Sequence, residues 1–272
     1  MSTTDAPIAL LYQGVELWND WRQANADAPA EAPLLEGLHM PQGWLRRAAL
    51  QHTDLSQADL TGADLQEANL RHSILIGATF AQANLQRADL SEAYLSEADL
   101  SDANLTQTSL VGAVMIEASF RNAVLRHANL QGAIAHLSNL IQSILTQADL
   151  THADFSGATL IGAVLIEATL VQTNFQGANL SLADLSRANL SHANLRGADL
   201  SGATLTDANL SGADLHGANL SSAILDNANL HNACLTATNR EGAQVQGTLL
   251  AVSTSEPASS EDLSLANFDL GF

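Results

Sequence analysis

The chain has 272 residues, 46% of them hydrophobic, with 29 acidic residues against 10 basic ones and a formal charge of −19. Every basic residue is an arginine, and a chain this acidic argues against binding nucleic acid through its phosphates or adhering to an anionic membrane. The single cysteine, Cys234, excludes an internal disulfide framework; with no apolar span of roughly 18 residues and no basic-flanked apolar leader, a soluble cytoplasmic protein is expected.

Residues 1–33 read as an N-terminal unit. From Pro7 to about Ala24 the apolar pattern is helical: Ile8, Leu11, Val15 and Trp18 share one stripe with Trp21 beside it, and Pro7 suits a first turn. The spacing predicts one short helix, followed by an Ala/Pro-rich link from Asn25 to Pro33.

From Gln51 to Thr236 the chain repeats every five residues without insertion or deletion, as TDLSQ, ADLTG, ADLQE and ANLRH. A large apolar residue, the centre, occupies every position divisible by five from Leu55 to Leu235, which gives 37 pentads. Leu fills 31 centres; Phe80, Phe120, Phe155, Phe175, Met115 and Ala135 fill the rest. Two residues earlier stands Ala, or else Thr or Ser (Thr53, Ser73, Thr108, Ser138, Ser143, Thr173). A period of five fits neither a helix at 3.6 nor a strand at two. It fits a chain that turns a corner once per pentad, with the centre and the small residue both facing inward. Four corners close a square, so one coil takes 20 residues and coils stack about 4.8 Å apart. Gly recurs two places after the centre, where positive φ is cheap, and Asp or Asn most often precedes the centre, where a short side chain bonds nearby backbone.

These A(D/N)LXX pentads resemble the pentapeptide-repeat family, and the resemblance covers about two thirds of the chain. It implies an all-β solenoid, a right-handed quadrilateral β-helix with four pentads per coil; the handedness comes from the family alone.

Residues 20 apart stack in one column. Ala135 therefore neighbours Phe155, Glu67 neighbours Arg87, and Glu167, Arg187 and Asp207 follow one another. The solenoid spans 34–250. Its first coil, 34–50, keeps the phase through Leu35, Met40, Leu45 and Leu50 but is degenerate, with Trp44 outside the register. Its last, 239–250, fades, with Arg240 at a centre position. A solenoid end exposes apolar centres and unpaired backbone, so a lid is expected from the helix, through Val15, Trp18 and Trp21 together with Trp44. Residues 251–272 read as an acidic, Ser-rich linker and an apolar tail.

No phosphate-cradling loop, CxxC pair or HExxH occurs, and a Leu-packed axis leaves no cleft, so neither an enzyme nor a cofactor is expected. His52, His72 and Glu92 stack in one column and could share a metal, although His152 and His192 recur there as ordinary outward residues. The sharper signal is apolar residues at outward positions. One wall carries Ile74, Tyr94, Val114 and Ile134 with Ile76 and Ile116, and the opposite wall Val124, Ile144, Val164 and Ile166. Two readings stay open: β-branched preference, with cover by the helix or tail, and a partner surface. The function expected is a non-enzymatic protein–protein scaffold, binding an unidentified protein or a second copy as a homodimer. The alternative, implied by the resemblance, is a DNA mimic that binds a type II topoisomerase.

Overall fold

The computed structural model describes residues 5–25 and 34–250. The Ala/Pro-rich link over 26–33 and the linker and tail over 251–272 lie outside the described residues.

From Leu34 to Asn229 every residue that precedes a centre makes a parallel bridge to the residue 20 positions on, as Leu34 does with Asp54 and Ile74 with Tyr94. Four backbone bonds per pentad build this, one of them from the N–H two places after the centre, as Gln57 donates to the Ile76 carbonyl at 2.9 Å. The centre N–H donates forward, as Leu55 does to the Ile74 carbonyl at 2.7 Å, and the N–H before it donates back, as Asp59 does to Leu38 at 2.7 Å. Another closes the corner, Ala58 N–H to the Leu55 carbonyl at 3.0 Å. Interior backbone groups are thereby paired with the next coil, the condition for burying them.

The corner demands a left-handed residue. Every fifth position from Gly37 to Gly247 has φ between 54° and 72°, glycine or not. Glycine enters this region freely, whereas any other L residue bears roughly 1–2 kcal/mol there. The ladder offsets that strain at Leu137 and Leu182 (φ 57° and 59°), both exposed.

Inside, the Leu centres and their Ala partners from Leu55 to Leu230 are excluded from solvent. Beside the one small centre, Ala135, the rings of Phe155 and Phe175 pack 5.9 Å apart at 32°, keeping the axis filled.

The N-terminal segment differs from expectation. It forms two helices, α1 (Asp5–Gln13) and α2 (Val15–Ala24), because Gly14 takes φ 139°, outside any helix. Trp18 is fully buried against the first coil and donates its indole N–H to the Ala49 carbonyl at 3.0 Å. Asn19 gives its amide to the Arg47 carbonyl and accepts the Ala49 N–H, Arg22 donates to the Gln51 carbonyl, and Tyr12 to the His39 carbonyl. Side chains of the helices thus stand in for a preceding coil, satisfying ladder groups that a solenoid end leaves open. Val15 and Trp21 pack half-buried on the same core. Trp44 does not join them. It is 83% exposed and bridges Asp64, because it occupies the outward place before centre Leu45 and is therefore in register. Residues 34–50 bridge the next coil like any other.

The two ends differ. Leu35, Leu45 and Leu50 are buried beneath the helices, whereas Leu235, Val245 and Leu250 of the last coil are only half-buried, as is Arg240 at its centre position.

Candidate interaction surface

Most residues before a centre are Asp or Asn because of the corner itself. The carboxylate of Asp54 accepts the Ser56 N–H at 3.0 Å and that of Asp59 the Thr61 N–H at 3.1 Å; the bond recurs at Asp64, Asn69, Asp99 and Asp154. Further along the rod Asn amides climb from coil to coil, as Asn194 to Asn174 in the column that continues Asp154, and Asn209 to Asn189 in another.

At Ile74, Tyr94, Val114 and Ile134 that turn bond is given up, since none of them has the short acceptor side chain of Asp or Asn. These four bridge one another in sequence, which makes one contiguous strip on one wall. Tyr94 is 50% exposed, and Ile76 and Ile134 are also exposed; Ile74, Val114 and Ile116 are half-buried. The helices sit on the end of the rod, so they do not cover it. On the opposite wall Val124, Ile144 and Val164 bridge in the same way, with Ile166 beside them, but all four are half-buried and offer less.

The sequence pattern missed three further members of the first wall. Leu137 is exposed at the corner beside Ile134, and Glu97 and Glu117 stand on the same corner one coil apart, both exposed. All three occupy the left-handed position, where the sequence pattern shows only a preference for glycine. Neither glutamate makes an ion pair among the described residues. Elsewhere acids meet arginines: Glu67 meets Arg46 at 3.2 Å and Arg47 at 2.8 Å, Glu167 meets Arg187 at 3.0 Å, and Asp214 meets Arg196 at 2.9 Å. Hydrogen bonds from Arg47, then Arg46, hold the Glu67 carboxyl below its ordinary value. Glu67 turns to these rather than to its column neighbour Arg87, which bonds Gln107.

The histidine column is formed as its spacing predicts. The imidazoles of His52 and His72 stack 4.9 Å apart at 11°, and Glu92 lies 3.4 Å from His72 Nδ1. Glu92 is also engaged by Arg71, at 3.6 Å. Burial, then the neighbouring His72, Arg22 and Arg71, pushes the His52 pKa down. Among the described residues no group of three or more His, Cys, Asp or Glu is placed to hold a metal ion. No helix there is long and apolar enough to cross a membrane.

Comparison with known proteins gives the model of the family "Pentapeptide repeats" in eight copies, over residues 45–134, 143–181 and 183–250. Among solved structures the chain is similar to HetL, a pentapeptide repeat protein involved in heterocyst differentiation regulation from the cyanobacterium Nostoc sp. strain PCC 7120. Identity is 34% over 84% of this chain and 94% of that one, with a TM-score of 0.32. It is similar to trypsin-treated QnrB1, a plasmid-mediated fluoroquinolone resistance protein, at 20% identity over 78% of this chain and 91% of that one, with a TM-score of 0.42. Rfr23 from the cyanobacterium Cyanothece 51142 matches at 34% identity over 40% of this chain and 64% of that one, with a TM-score of 0.21. No curated protein matches this chain in sequence.

Proposed function

Since this chain belongs to the pentapeptide-repeat family and folds as its right-handed quadrilateral β-helix, we propose that it is a non-enzymatic scaffold that binds another protein through the wall of Ile74, Tyr94, Val114 and Ile134. The observation that carries this reading is the strip itself: a contiguous, solvent-facing apolar row at positions where the fold favours Asp or Asn. Contiguous exposed apolar surface on a soluble protein marks contact sites. The packed axis behind the strip supplies a rigid, flat backing and no pocket for a small substrate. A cytoplasmic setting suits the one free cysteine, Cys234.

The test is capture from the native cell extract with the intact protein and with Tyr94→Asp plus Ile134→Asp. The intact chain should retain a partner that the variant loses while its melting temperature holds. A partner retained equally by both removes the strip from the interface.

A second reading rests on the charge of −19 carried on a rod, which suits a mimic of duplex DNA acting on a type II topoisomerase. Asn ladders and paired arginines dilute that charge along the walls. Unaltered gyrase supercoiling at micromolar excess of protein eliminates the mimic.

A further inference from the structure

We infer that the strip selects a partner segment of one chemical kind: an amphipathic helix whose apolar ridge is edged by Lys or Arg. The inference rests on the protein-contact reading above and adds the partner's chemistry.

Three observations point to it. Glu97 and Glu117 stack on adjacent coils, a like-charged pair that destabilises its own column and that forms no ion pair with an arginine among the described residues. They stand along one edge of the strip, and the four stacked pentads that form it, 73–77, 93–97, 113–117 and 133–137, contain no arginine. Asp54 continues the column below Ile74, and Asp154 continues it above Ile134. An apolar floor is thus bordered by uncompensated negative charge.

Charge also argues against the two occupants closest to hand. A second copy of a chain at −19 would set the same acidic edge near its own, and residues 251–272 contain four acidic residues and no basic one. Length suits a helix. Four coils put Ile74 and Ile134 about 14 Å apart at the usual inter-strand spacing, which about ten helical residues match at 1.5 Å per residue. Side chains at i, i+3, i+4 and i+7 would lie on the strip while the flanking position meets the glutamates.

The probe is a set of three helical peptides with one leucine ridge and an arginine, glutamine or glutamate edge, titrated into the full chain by fluorescence anisotropy. The arginine peptide should bind about tenfold tighter than the glutamate peptide, a preference that shrinks at high salt. Glu97→Gln with Glu117→Gln should remove most of it. Asp102→Asn with Asp207→Asn, which deletes two charges at other corners, should leave it intact. Tyr94→Ser with Ile134→Ser should abolish binding of all three.

Equal binding of the three peptides, lost in the serine variant, overturns the inference and leaves the contact surface standing. An arginine preference that survives the serine variant is attraction to the rod at large and overturns it too. Failure of every peptide to bind does the same.

Discussion

Leu182 lies along its corner against Gly202, one coil on, so closely that a Cβ at Gly202 would come within 2.9 Å of Leu182 Cδ2. Both residues are left-handed, and Leu182 is also 67% exposed, so it combines the conformation least suited to a leucine with an environment that rewards no apolar side chain. Leu182→Asn should therefore raise the melting temperature, by about 0.5–1 kcal/mol of stability, because Asn tolerates positive φ. Gly197→Ala, with nothing within 4 Å of the new methyl, isolates the conformational cost of about 1 kcal/mol. Gly202→Ala should cost slightly more, the excess reporting the displaced Leu182 methyl. Calorimetry that finds Leu182→Asn less stable than the parent would contradict this account of the corner.

The cap makes a second prediction. Trp18 is the one aromatic side chain wholly buried between α2 and the first coil, and it also satisfies the Ala49 carbonyl. Trp18→Ala should cost about 3–5 kcal/mol. In a solenoid the damage stays near its source, since each coil contacts only its neighbours. Hydrogen exchange should therefore rise for amides such as Leu50 and Leu55 while those around Leu185 and Leu205 keep their protection. Uniform acceleration along the rod would show that the coils unfold as one unit.

How much of this was legible in the sequence depends on the position. The inward facing of Leu55 and the corner role of Asp54 follow from the five-residue period, because only one coil geometry holds a strict period of five. The strip was legible for the same reason, as apolar residues at places assigned to Asp and Asn. A large aromatic near a solenoid end suggests a capping role, but the place of Trp44 before Leu45 faces outward. The break at Gly14 was hidden, since apolar periodicity continues across it from Leu11 to Val15. Leu137, Glu97 and Glu117 are hidden in the sequence because the recurrence of glycine suggests a preference at the corner, whereas the left-handed conformation holds in every pentad. The choice of Arg46 and Arg47 over Arg87 by Glu67 depends on where long side chains reach, which a column alone does not specify.

Ser138 supplies a third prediction. Of the small buried hydroxyls two before a centre, Thr53, Ser73 and Ser143 donate to the carbonyl three residues back, and Thr108 and Thr173 donate to the preceding coil. Ser138 is as buried as these, yet its hydroxyl has no partner among the described residues. An unsatisfied buried hydroxyl costs about 1–3 kcal/mol, so Ser138→Ala should stabilise the protein. Ser143→Ala, which deletes a made bond, should be neutral or mildly destabilising. Denaturant titrations that rank the two variants in the opposite order would show that Ser138 finds a partner in solution.

The fourth prediction concerns pH and follows from His52. Its folded-state pKa lies below the ordinary histidine value, through burial first and then the positive neighbours His72, Arg22 and Arg71. The unfolded chain therefore takes up a proton before the folded one does. Stability should be fully present above pH about 6.5, the unfolded histidine value, and should decline as pH falls below it until the folded imidazole is itself protonated. Asp59 and Glu67, whose folded pKa values are depressed by hydrogen bonds from Thr61 and from Arg47 respectively, lose their contributions only at more acidic pH, so the two effects separate. Melting temperatures of the parent should fall between pH 7 and pH 5.5, and His52→Gln should flatten that fall without altering the acid limb. An unchanged slope in the variant would assign the decline to other histidines and remove the stacked pair as its origin.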